Sequence, residues 1–193
     1  MEENVNVSIK EFINEFLIKS IGKLVDAEFH YYSFIIIGQG IEFLGSLFDD
    51  QPFEKHISDG YRFKNALSKN LFPNSFYKQN QDWLYNNFRC SLIHQIRPSN
   101  ELLLTSNSIN KYPEEKHLKK LEGSDKRVII IEFLYRDFKK ACEKVIKMIE
   151  RNDSQLDQEK IKENYLNIFS IDLNGVNYEV TGSTYTRLSV YKN

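Results

Sequence analysis

Residues 29–48 read Phe-His-Tyr-Tyr-Ser-Phe-Ile-Ile-Ile-Gly-Gln-Gly-Ile-Glu-Phe-Leu-Gly-Ser-Leu-Phe. On a helix drawn through this run, apolar side chains fall on most faces, which predicts a central helix over 27–49 ended by Asp49-Asp50-Gln51-Pro52. A helix with so little wet surface needs neighbours on several sides, so the fold is read as a helical bundle. Gly38, Gly40 and Gly45 lie inside the helix. Each costs about 1 kcal/mol there relative to alanine, so they predict close helix packing or a kink. The most apolar part, Phe34 to Phe48, holds Gln39 and Glu42 and is shorter than the ~20 residues of a bilayer span, so no membrane contact is expected.

The flanking sequence supplies partners for this helix. Over 8–25, Ile9, Phe12, Ile13, Phe16, Leu17, Ile21 and Leu24 recur at helical spacing, and Ser8 with Glu11 has the capping-box pattern. A short helix is predicted over 58–70, capped by Ser58 or Asp59, and another over 79–96 with Trp83, Leu84, Phe88, Leu92 and Ile96 on one side. Pro98 stops it. The period then changes: 101–105 and 127–131 are short branched runs that read as a β-hairpin around a charged, mobile-looking loop, 106–126. A long helix follows over 132–151, and 152–163 reads as a polar linker or solvated helix. In the tail, alternating residues flank Asn174-Gly175, a strong hairpin signal because both turn residues need positive φ, and 184–191 suits a third strand. The expected fold class is mainly α (α+β), an up-and-down helical bundle with an inserted hairpin and a small C-terminal β appendage. The expected division is 1–151 for the bundle, including hairpin 101–131, and 152–193 for the polar linker and appendage.

Composition narrows the function classes. The chain has 193 residues, 41% apolar and 27% charged, which excludes disordered and collagen-like classes. Lys+Arg (26) balances Asp+Glu (27), so a generally basic nucleic-acid coat is excluded while a local basic cleft is not. Cys90 and Cys142 form no Cys-x-x-Cys, and the acidic start Met1-Glu2-Glu3-Asn4 does not resemble a signal peptide. Both point to a soluble, cytoplasmic protein. No phosphate-binding glycine loop or Gly-x-Ser-x-Gly is present, and no two of His30, His56, His94 and His117 stand at metal-ligand spacing. Neither a metal nor another cofactor is expected.

One segment carries chemistry: Tyr85-Asn-Asn-Phe-Arg89-Cys-Ser-Leu-Ile-His94-Gln-Ile-Arg97-Pro98. Arg89 and His94 stand five apart, about 140° around an ideal helix, so a long arginine reach or a loosened last turn is needed to join them. Cleavage of RNA needs a base for the ribose 2′-hydroxyl and a cation for charge growing on phosphorus. Histidine suits the first role and arginine the second. Asn87 or Ser91 could bind and orient the phosphate or the imidazole. Glu42 could face Arg89. The aromatics Tyr31, Tyr32, Phe76, Tyr77, Trp83 and Tyr85 could stack bases but read first as core, and Lys116, Lys119 and Lys120 could touch RNA but read first as a solvated loop.

Arg89-Cys-Ser-Leu-Ile-His94, late in a bundle helix and after an apolar second helix, resembles the Arg-x4–6-His motif of the HEPN superfamily. The resemblance covers about 8–150. It implies a homodimer in which two motifs face each other, with Arg89 and His94 as catalytic residues of a metal-independent endoribonuclease. Such members act in toxin–antitoxin or phage-defence settings, so an antitoxin or defence-system partner is implied as well. The alternative within the family is a non-catalytic nucleotide- or protein-binding module.

Overall fold

The computed structural model describes residues 2–53, 55, 57, 60–109, 111–163, 165–172, 177–178 and 190–191. Ser8 opens the first helix as expected: its side chain accepts from Glu11 N, and the Glu11 carboxylate accepts from Ser8 N at 3.0 Å. Helix α1 runs over 9–26 and is π-helical in its middle, Ile13–Ser20. Glu28, at φ 62°, then reverses the chain. That turn delays α2 to His30–Ser46, inside the expected 27–49.

The glycines of α2 serve close packing. A Cβ on Gly45 would lie 1.7 Å from the Arg62 carbonyl oxygen, so α3 (Tyr61–Ser68) rests backbone to backbone on α2 there. The expected caps Ser58 and Asp59, and His56, lie outside the described residues. Helix α4, Ser75–Gln79, was not expected; the Asn74 side chain caps it by accepting from Phe76 N. Helix α5 covers 81–95, with a π-helical stretch at Tyr85–Cys90. Leu84, Phe88 and Leu92 are buried, each four residues from the next, a spacing that the wider π turn keeps on one face. Ile96 is corrected: it adopts φ 50° beyond the helix end and stands 73% exposed.

Strands β2 (Leu102–Thr105) and β3 (Arg127–Ile130) do pair, but in parallel, so the expected hairpin of these two runs is not formed. The intervening segment supplies the antiparallel neighbour instead. Leu118 N bonds Val128 O, Val128 N bonds Lys119 O and Leu121 N bonds Lys126 O, each within 2.9 Å. Thus 118–128 is the hairpin, and β2 takes the other edge of β3. The segment is pinned rather than loose, because His117 and Leu118 are buried. His117 Nδ1 accepts from Ile130 N, its Nε2 lies 3.3 Å from the Tyr77 hydroxyl, and that hydroxyl donates to Asp137. The buried chain is consistent for a neutral imidazole protonated on Nε2. Burial accordingly drops the His117 pKa to about 4.

Strand β3 leads directly into α6, Ile131–Glu150, whose Leu134, Phe138, Ala141, Cys142 and Val145 enter the core. The core lies where α2 meets α1, α3, α5 and α6, around Ile13, Ile37, Leu44, Phe63, Phe88 and Phe138. The stretch 152–163 is neither linker nor solvated helix. Leu156, Lys160 and Ile161 are buried, and Asp157 N bonds Leu47 O. Lys160, on α7 (Gln158–Glu163), reaches the Asp49 carboxylate at 2.7 Å, beside Arg62, whose Nε bonds the same carboxylate. These two cations hold the Asp49 pKa down against burial, which alone would raise it. In the tail, β4 (Tyr165–Asp172) pairs antiparallel with the N-terminal strand β1 (Glu2–Ser8), and β5 (Asn177–Tyr178) with β6 (Val190–Tyr191). The Asn174-Gly175 turn lies outside the described residues, as does most of 184–191. No helix among the described residues is long and apolar enough to cross a membrane.

Candidate functional site

Helix α5 lies against α2, and this contact sets the position of Arg89. Its Nε donates to Glu42 Oε2 at 2.8 Å and its Nη2 lies 2.6 Å from the same oxygen. Both side chains are largely buried, 14% and 24% exposed, so the pair is screened less than a surface ion pair. The remaining terminal nitrogen, Nη1, stands 3.4 Å from His94 Nε2. Arginine has only donors, so Nε2 accepts in this contact and carries no proton. The Tyr85 ring flanks the guanidinium at 5.8 Å. One carboxylate therefore fixes the cation, and its free end meets an exposed imidazole in the last turn of α5.

The structure thus brings Arg89 and His94 together despite their 140° offset on an ideal helix. The arginine's reach does it, with Glu42 turning the guanidinium along the helix surface. Asn87 and Ser91 do not join them. Asn87 Nδ2 donates to Trp83 O, and the buried Ser91 hydroxyl donates to Asn86 O, five residues back. Ser20 makes the same bond to Glu15 O in the π stretch of α1. In each case a hydroxyl satisfies a carbonyl loosened from the regular ladder by the π turn. The role expected for Ser91 is corrected accordingly: its polar group serves the helix.

Tyr85 is the residue that the sequence reading did not tie to the motif. Its phenol pKa is pushed up to about 12, first by a hydrogen bond with the Cys90 thiol and then by burial; the Arg89 charge acts the other way. Tyr85 thus stays a neutral donor at any working pH. Its place four residues before Arg89 was the available signal, since i, i+4 side chains meet on a helix. Chemically, the cluster offers an exposed imidazole with a fixed cation beside it.

Compared with protein-family models, curated proteins and solved structures, the chain gives no match.

Proposed function

We propose that this chain is a metal-independent endoribonuclease of HEPN type, with Arg89 and His94 as its catalytic pair. The observation that carries the proposal is the 3.4 Å approach of Arg89 Nη1 to the exposed His94 imidazole, with the guanidinium anchored from behind by Glu42. In the proposed reaction His94 takes the proton of a ribose 2′-hydroxyl. The 2′-oxygen attacks phosphorus, Arg89 stabilises the negative charge on the non-bridging oxygens, and the bond to the 5′-oxygen breaks. The departing oxygen takes a proton from solvent water and leaves as a 5′-hydroxyl, His94 returns its proton to solvent, and the other product ends in a 2′,3′-cyclic phosphate. The active form is a homodimer. Supporting this, α2 carries exposed Tyr32 and Ile36, with exposed Phe29 just before the helix. An antitoxin or defence-system partner follows from the same family reading.

A second reading is favoured by the Glu42 contact itself, because a carboxylate on both Nε and Nη2 leaves Arg89 less charge for a phosphate. The chain would then be a non-catalytic binding module. The two separate on product chemistry. RNA should be cut to fragments with 2′,3′-cyclic phosphate ends, and its 2′-O-methyl counterpart should stay intact. Cleavage of both substrates, or 3′-hydroxyl ends, would refute the mechanism.

A further inference from the structure

A cavity of about 340 Å³ opens where the start of α5 meets the starts of β2 and β3, lined by Trp83, Glu101, Lys120, Asp125 and Arg127. Arg127 lies with its guanidinium carbon 4.5 Å from the Phe76 ring centre and 5.5 Å from that of Trp83. Its Nη1 donates to Leu118 O. Although two carboxylates line the same cavity, none pairs with Arg127 among the described residues. Burial lowers its pKa, the mark of a cation that has lost water without gaining a counter-ion. Such a group is relieved when an anion arrives. Lys120 stands at the rim, paired to Asp125 only at 3.5 Å and well exposed, a contact of little strength that leaves the ammonium available. The indole N–H of Trp83 donates to Glu101 Oε2 at 2.6 Å, which fixes ring and carboxylate together and leaves Oε1 as a further acceptor on a residue that lines the cavity.

We infer that this cavity binds a nucleotide: its phosphate on Arg127 and Lys120, its base against the Trp83 indole, and a base N–H on the Glu101 carboxylate. Only a ligand with an anion, a flat π-face and a donor edge uses all three features. A plain anion would meet repulsion from Glu101 and Asp125, and a cation would leave Arg127 unmet. Trp83 precedes Arg89 by six residues on one helix, roughly 9 Å of rise. Where the endoribonuclease reading holds, a strand seated in the cavity would have to pass about 120° around α5 to reach Arg89. Binding can be read without cleavage.

Trp83 is the one tryptophan in the chain, so its fluorescence reports this site alone. The full chain is titrated with guanosine and adenosine 5′-monophosphate, with guanosine, and with a single-stranded DNA hexamer that has no 2′-hydroxyl to react. Saturable quenching is expected from the monophosphates or the hexamer, about tenfold weaker for guanosine, which lacks the phosphate. Arg127→Gln should weaken binding about tenfold, and the exposed Lys120→Ala, which keeps the fold, about threefold. Quenching by the monophosphates identifies a free nucleotide as sufficient; quenching by the hexamer alone identifies a strand. His94→Ala should bind like the wild type, so loss of cleavage with retained quenching leaves this site standing whatever becomes of the catalytic reading. No saturable change with any phosphate-bearing probe, or affinities unaltered in both variants, would overturn the inference.

Discussion

The buried His117 makes stability depend on pH in a calculable way. In the unfolded chain a histidine titrates near 6.5, while in the fold burial holds His117 at about 4. Between those values the unfolded state binds the extra proton and the folded state does not. Stability therefore falls as pH falls through this window and levels off below it. The full difference, about 2.5 pK units, corresponds to about 3 kcal/mol, of which about 2 kcal/mol is lost by pH 5. His117 is only 7% exposed, so solvent screening takes little from this figure. Asp137, whose pKa burial raises, opposes the trend at the acid end. The variant His117→Asn isolates the effect, because its amide oxygen still accepts from Ile130 N but carries no titrating ring. Urea unfolding at pH 7.5, 6 and 5 is the assay. The wild type should lose about 2 kcal/mol more than the variant over that range, although the variant starts lower at pH 7.5. Parallel pH dependences, or an NMR titration placing the His117 ring near 6.5, would refute the reasoning.

Further outcomes follow from the packing and the ion pairs. Gly45→Ala should lower stability by about 3 kcal/mol or prevent folding, because its Cβ meets the Arg62 backbone at 1.7 Å; Gly38→Ala, with its first neighbour at 3.7 Å, should be neutral or stabilising by thermal melting. Asp49→Ala leaves the Arg62 and Lys160 cations, each 8% exposed, without their carboxylate, and should cost about 3–5 kcal/mol in urea unfolding. Glu42→Gln removes the charge that fixes Arg89 and should slow RNA cleavage by about 10–100-fold with KM little changed; an unaltered kcat would deny Glu42 a positioning role.

What could be read from the sequence was set by local pattern. The Ser8–Glu11 box, the apolar α2 and the stripe of α6 each state their structure within a few turns of chain, and each is found where the pattern put it. The pairing sense of β2 and β3 was not legible. It depends on where 118–121 lies, and that is fixed by His117 meeting Tyr77, forty residues away in sequence. The docking of 152–163 was hidden for a similar reason. A polar composition suggested water, whereas Lys160 finds Asp49 and two carbonyls in the interior. In the candidate site, the Arg89–His94 pair and the Glu42 contact were visible as residue types. The π turns were not, since no propensity marks an i→i+5 bond, and Ser91 was read as a ligand group when it caps one. The Trp83–Arg127 cavity joins three segments, α5, the start of β2 and the 118–128 hairpin, so only the fold could assemble it.

Cleavage of RNA by Arg89 and His94, the activity proposed above, is tested by one comparison. Purified wild type and His94→Ala are incubated with single-stranded RNA in EDTA, which removes metal-dependent contaminants. The wild type should cut the RNA, and the variant should lose the activity by at least about a hundredfold. Equal traces from both proteins, with the variant folded, would contradict it.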